Sequence, residues 1–244
     1  MIKEALQYIT GLKAEAMEAE ILEIDGKTYC NKDLTCYDQA TETARPFSIS
    51  TLSGMVDYIK GKPEELRESM ILHIESHKRI TLMSGLLAEK QREHLLLSEA
   101  IINEFRFDYY YDQERFLIEL QASFAKTDEL DIIAQVAGKV QAGTTADYSV
   151  DGVSQKTTIK QGVERKDVLV PNPVSLIPHR TFQEVPQPTS NFVFRIREQD
   201  GEPYFKLVEA DNGIWKNLAM KNIKEYFERE LGGILADRNI TIIA

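Results

Sequence analysis

The first stretch with a clear period is residues 2–20, where Ile2, Ala5, Leu6, Ile9 and Leu12 recur at helical spacing and predict one amphipathic helix, with a break near Gly11. Across Glu20–Tyr29, apolar and β-branched residues flank Asp25-Gly26, the pattern of a hairpin closed by a two-residue turn. Ser50 or Thr51 then caps a helix that carries Leu52, Met55, Val56 and Ile59 on one face and stops at Gly61, with Pro63 just beyond. Met70–Glu75 and Arg79–Met83 alternate as two short strands around a turn at 76–78, and a helix is expected over Leu86–Glu104. A further helix sets Phe116, Leu117, Leu120 and Phe124 on one side. The next opens with Asp128-Glu-Leu-Asp131, acids that complement its macrodipole, and buries Ile132, Ile133, Val136 and Val140.

From Gly143 the period changes to two. Thr145–Val150 and Val153–Gly162 around Asp151-Gly152 predict a hairpin, and Val168-Leu-Val170 a third strand. Five of the eight prolines follow closely: Pro171, Pro173, Pro178, Pro186 and Pro188. Each fixes φ and biases its predecessor toward extended geometry, so this segment reads as a stiff arm of the sheet region. Beyond it, Phe192, Phe194 and Ile196 share one face of a strand and Val193, Arg195 and Arg197 the other. Asp200-Gly201 leads to a partner strand at Tyr204–Val208. A helix over Asn217–Leu231, a Gly232-Gly233 stop and an apolar strand at Asn239–Ala244 close the chain; that strand must be paired. The fold class is α+β, with a mixed helical and hairpin region over 1–142 and a mainly antiparallel β region over 143–244, the two forming one continuous domain or a pair.

A chain of 244 residues with 43% hydrophobic and 28% charged content is an ordinary globular protein. A net charge of −10 argues against non-specific nucleic-acid binding, while leaving room for a local basic site. Apolar runs stay far below the roughly twenty residues that a membrane span needs. The first residues lack the apolar core of a secretory signal, so Cys30 and Cys36 are expected as free thiols in a reducing cytosol.

No P-loop, dinucleotide-binding glycine motif, G-x-S-x-G or cysteine-histidine cluster is present, and no cofactor or metal is expected. His73 and His77 are four apart but flank a strand turn and lack a third ligand. His179, Arg180, Arg195 and Arg197 bring three guanidinium groups that match a carboxylate or phosphate bidentately; pairing of Arg180 with Glu184, or of the arginines with acids on a neighbouring strand, is the structural alternative. Trp215, the sole tryptophan, follows an Asn212-Gly213 turn and suits a ligand-stacking wall or a core anchor. Phe105, Phe107, Tyr109, Tyr110 and Tyr111, beside Arg106 and Arg115, form a contact surface for bases or a partner, or a core anchor for the next helix.

Pro171–Val185, Gln187–Arg195 and Glu209-Ala-Asp-Asn-Gly-Ile-Trp215 resemble a family of uncharacterised bacteriophage and prophage proteins typified by YfdQ, especially members from phages of Gram-positive bacteria. Gln113-Glu-Arg-Phe116 and Asp151-Gly-Val-Ser-Gln155 extend the likeness, which runs from about Phe47 to the last strand. The resemblance implies a phage origin and a place in the cytoplasm of the infected host; it implies no reaction and no catalytic residue. The expectation is a non-enzymatic accessory protein that acts by binding, in an anti-defence role that sequesters a nucleotide signal or a host defence protein. The alternatives are a replication or recombination factor that contacts single-stranded nucleic acid, and a self-assembling structural protein. A homo-oligomer is compatible with each.

Overall fold

The structure, a computed structural model, describes residues 2–17, 19, 21–24, 27–30, 43–64, 66, 69–87, 90–140, 154–161 and 164–244. The chain divides into two compact units, Met1–Glu42 and Thr43–Ala244. The first contains helix α1 (Ile2–Met17) and an antiparallel ribbon of β1 (Ile21–Ile24) and β2 (Lys27–Cys30), in register from Ile21↔Cys30 to Ile24↔Lys27. The expected turn residues Asp25 and Gly26 lie outside the described residues. Helix α1 passes through Gly11 without a break, since one helical glycine costs only about 1 kcal/mol against alanine.

The second unit holds β3 (Phe47–Ile49), α2 (Leu52–Gly61), β4 (Met70–Ile74), β5 (Arg79–Ser84), β6 (His94–Glu99), β7 (Tyr111–Asp112), α3 (Gln113–Ser123), α4 (Asp128–Lys139) and β8 (Ser154–Gln161). There follow β9 (Glu164–Pro171), β10 (Val174–Leu176), β11 (Ser190–Gln199), β12 (Glu202–Glu209), α5 (Trp215–Leu231), α6 (Ile234–Asp237) and β13 (Ile240–Ile243). Residues 142 and 143 both fall inside this unit, and its two larger sheets each draw strands from both sides of that point.

One sheet has the order β13-β4-β5-β6-β3, with antiparallel pairing along β4, β5 and β6 and parallel pairing of the two outer strands. Helices α2 and α5 contribute to its core, where Leu52, Met55 and Ile59 join Leu72, Leu82, Leu96, Ile223 and Phe227. The Thr51 hydroxyl accepts from Gly54 N at 3.2 Å and caps α2, and Lys62 ends it in the left-handed region at φ 51°. The expected helix over Leu86–Glu104 is instead strand β6, with no helix among the described residues on either side of it. Three consecutive leucines, Leu95-Leu-Leu97, cannot share one helical stripe. An inner strand bonded on both sides can bury such a run on both faces.

The second sheet has the antiparallel order β10-β11-β12-β7. Phe192, Phe194, Phe205 and Leu207 face α3 and α4 in a core rich in rings, with Phe105, Phe116 and Phe124 between them. The hairpin joining β11 to β12 turns through Asp200 at φ 55° and Gly201 at φ 84°, the two left-handed residues that a tight turn of this hand requires. In α4 the buried stripe is Leu130, Ile133, Val136 and Ala137, and Ile132 is 37% exposed. The expectation for Ile132 fails because the stripe begins at Leu130, placing residue 132 well off its centre at 100° per residue.

Ser154–Gln161 pairs with Glu164–Pro171 in a separate two-stranded ribbon, in register from Ser154↔Pro171 to Gln161↔Glu164. Val168–Val170 is therefore the partner of that strand; the predicted partner, 145–150, lies outside the described residues. Alternating polar and β-branched residues on both sides of two candidate turns leave pairing underdetermined by local pattern.

The proline arm connects the two cores. Val174 and Leu176 lie in the ring-rich core, whereas Phe182 (1% exposed) and Val185 lie in the other. The Gln187 side chain accepts from Arg180 N at 2.9 Å and Thr181 N at 3.2 Å and donates to Phe182 O at 2.8 Å, fixing the arm's turn. Glu184 accepts from Leu52 N at 2.8 Å, placing a carboxylate at the start of α2, where it complements the helix dipole.

Candidate functional site

The arm carries Arg180 into the space between β11, β12 and the start of α5. Its guanidinium is 3.7 Å from the Trp215 ring centroid and 5.8 Å and 5.9 Å from Phe192 and Phe107. Nη1 donates to the Glu209 carboxylate and Nη2 to the Ser190 hydroxyl. Burial pulls the Arg180 pKa down, and the charges of Glu209 and Asp211 oppose that shift. Trp215 is held at the head of α5 by the turn at Asn212 (φ 53°) and Gly213 (φ 74°).

His77, in the turn between β4 and β5, meets Trp215 edge to face at 4.7 Å and 75°. The Thr181 hydroxyl donates to the His77 carbonyl and ties the arm to that turn. Beside these groups opens a pocket of about 270 Å³. Its apolar wall is Phe105, Phe107, Pro178 and the Trp215 ring, and its polar wall is His77, Lys78, Glu104, Arg180, Glu209 and Lys216. Lys78 is paired with Glu104. Lys216 Nζ lies 5.9 Å from the Trp215 centroid and makes no ion pair among the described residues. Trp215 Nε1, Arg180 Nε and Asp211 Oδ2 are buried without a hydrogen-bond partner among the described residues.

Burial lowers the His77 pKa to about 4, helped by Lys78, Lys216 and Arg180 and opposed by Glu104. The unfolded chain therefore binds a proton near pH 6.5 that the folded protein refuses. Stability from this group is full above pH 6.5 and declines as the pH falls toward 4. Calorimetric melting temperatures should drop over that interval, and His77→Gln should make the drop shallower.

Of the expected ligand residues, Arg180 and Trp215 come together and line the pocket. His179 is next in the chain but is not a lining residue; its backbone N donates to Ser123 O at 2.8 Å. Arg195 and Arg197 do not converge on Arg180. Arg180 approaches Phe192, whose face of β11 also holds Phe194, and strand alternation sends Arg195 and Arg197 to the opposite face. Arg180 takes Glu209 as its ion partner, not Glu184.

The aromatic run is divided by its environment. Phe105 and Tyr111 are buried in the ring core, and Phe107 stacks on Phe192 at 5.0 Å while reaching the pocket. Tyr109, 37% exposed, and Tyr110 lie under cations instead: Arg106 is 4.4 Å above the first, Arg197 4.1 Å and Lys206 4.8 Å from the second. Sequence reasoning missed Lys78, Glu104, Glu209 and Lys216, and gave His77 no site role. They come from two stretches, 77–104 and 209–216, that are far apart in the chain, and only the Glu209-to-Trp215 spacing offered a signal.

Among the described residues no group of three or more His, Cys, Asp or Glu side chains could hold a metal ion, and no helix is long and apolar enough to cross a membrane. No family model, curated protein or solved structure matches the chain.

Proposed function

We propose that this protein acts by binding, and that the Trp215 pocket receives a small ring-bearing anion of the nucleotide class. The observation that carries this reading is Lys216, a cation without an ion partner among the described residues, beside an aromatic wall and a carboxylate-lined rim. The ring wall offers apolar contact along the edges of its rings, and Lys216 offers a charge-assisted bond to a phosphate oxygen. Glu104 and Glu209 can accept from exocyclic amines or hydroxyls. A volume of about 270 Å³ is at the low end for ligand pockets and suits one base with its sugar and phosphate more than a larger molecule. With the phage resemblance, such a pocket supports an accessory role in the infected cell in which a nucleotide signal is withheld from host defence.

Isothermal titration with nucleoside monophosphates and cyclic nucleotides tests the reading. Micromolar binding is expected, weakened about tenfold by Lys216→Ala, with the nucleotide recovered intact by chromatography. No heat at millimolar ligand would reject the pocket assignment. Turnover abolished by Glu209→Gln would make the protein an enzyme.

A further inference from the structure

We infer that the Trp215 pocket selects a singly charged phosphodiester over a doubly charged phosphomonoester, a conclusion that rests on the nucleotide reading of that pocket. Lys78, Arg180 and Lys216 are the cations of its wall, and Glu104 and Glu209 are its carboxylates, a surplus of one positive charge. That surplus sits on Lys216. Lys78 is engaged by Glu104 and Arg180 by Glu209, whereas Lys216 makes no ion pair among the described residues.

Neither paired cation can be spared for a second phosphate charge. Arg180 is 6% exposed, and its Nη1 and Nη2 donate to Glu209 and to the Ser190 hydroxyl. Drawing it onto a ligand would leave Glu209 unpaired beside a further anion, and moving Lys78 would do the same to Glu104. Groups beside the wall do not raise the surplus to two. The Asp211 carboxylate accepts from Gly213 N at 3.2 Å, and its charge reaches Arg180, so it lowers the positive potential. The start of α5 has no acid in its first turn and raises the potential by about half a charge. His77, whose pKa burial lowers to about 4, is neutral near pH 7 and adds nothing.

A ligand with one charge therefore meets one free cation. The second charge of a phosphomonoester finds none, and Glu104 and Glu209 repel it. Beside the apolar wall of Phe105, Phe107 and Pro178 that repulsion is screened less than in open water. Esterifying the phosphate removes the second charge and keeps a charged oxygen for Lys216.

Isothermal titration of the full chain at pH 7.5 and pH 5.5 tests this with three probes: adenosine 5′-monophosphate, its methyl phosphate ester and adenosine 3′,5′-cyclic monophosphate. The methyl ester has the open shape of the monophosphate with a single charge. At pH 7.5 both diesters should bind about tenfold more tightly than the monophosphate. A phosphomonoester loses its second charge near pH 6, so at pH 5.5 the monophosphate should tighten about fivefold. The diesters should change less than about twofold over the same interval, and they report any titration of the protein's own groups. Glu104→Gln frees Lys78 and should narrow the preference for a diester about threefold. The Glu104 side chain is 56% exposed, and melting temperatures confirm that the variant is folded. Three results would each overturn the charge selection while leaving the nucleotide pocket standing: a monophosphate that binds as tightly as both diesters at pH 7.5, no gain for it at pH 5.5, or an unchanged preference in folded Glu104→Gln. No heat from any probe would reject the pocket assignment and this inference with it.

Discussion

Arg180→Ala is expected to lower the melting temperature by about 4–16 °C. The substitution removes a guanidinium that is 6% exposed and strands the Glu209 carboxylate. Breaking a buried pair from one side costs about 3–5 kcal/mol, because the remaining charge is left desolvated. Glu209 keeps 30% of its side-chain surface exposed, so water recovers part of that loss and about 2–4 kcal/mol is the better figure. For a unit of this size each kcal/mol shifts the melting temperature by about 2–4 °C. The Trp215 stack disappears at the same time, and with it the tie between the arm, β11, β12 and α5. Arg180→Lys keeps the charge but lacks the planar fork, so it should restore less than half of the loss. Differential scanning calorimetry of both variants checks this. A melting temperature within 2 °C of wild type for Arg180→Ala would show that the arm is held by Phe182, Val185 and Gln187 without the ion pair.

Removing Ile240–Ala244 is expected to abolish soluble expression. β13 is the outermost strand of its sheet, in parallel register with β4 from Ile240↔Met70 to Ile243↔His73. Ile240 is 6% exposed and Ile242 packs against the same core. Losing them removes apolar burial of about 1.5–3 kcal/mol for the fully buried chain alone, along with the ladder bonds. The deletion also leaves the β4 edge unpaired, a template for association with other chains. The milder Ile240→Ala should remain soluble and lose about 2–5 kcal/mol. Soluble fraction and size-exclusion profile test the deletion, and denaturant titration tests the substitution. A soluble, monomeric deletion variant would show that β4 tolerates a free edge.

The candidate site was partly legible. Arg180 and Trp215 stood out by residue type and by the turn before the tryptophan, and both line the pocket. Grouping Arg195 and Arg197 with Arg180 failed for a reason already present in the strand pattern: Phe192 and Phe194 occupy one face, so residues 195 and 197 point to the other. His77 was weighed only as a metal ligand. Its place against Trp215 depends on a contact across more than a hundred residues, which no spacing rule reports.

Local chemistry by itself determined the elements that carry their own punctuation. Thr51 and Gly61 bracket α2, Asp200-Gly201 closes the β11–β12 hairpin, and the alternation of Phe192, Phe194 and Ile196 set the buried face of β11. In each case the deciding interactions lie within a few residues of one another. Only the tertiary structure decided that Leu95-Leu-Leu97 is an inner strand, that β8 pairs with β9, that the last strand joins β4, and that the proline arm links two cores. Those outcomes depend on which apolar faces meet and which strand edges find partners. Such terms are summed over residues distant in the chain, and they override a local pattern that fits two structures almost equally well.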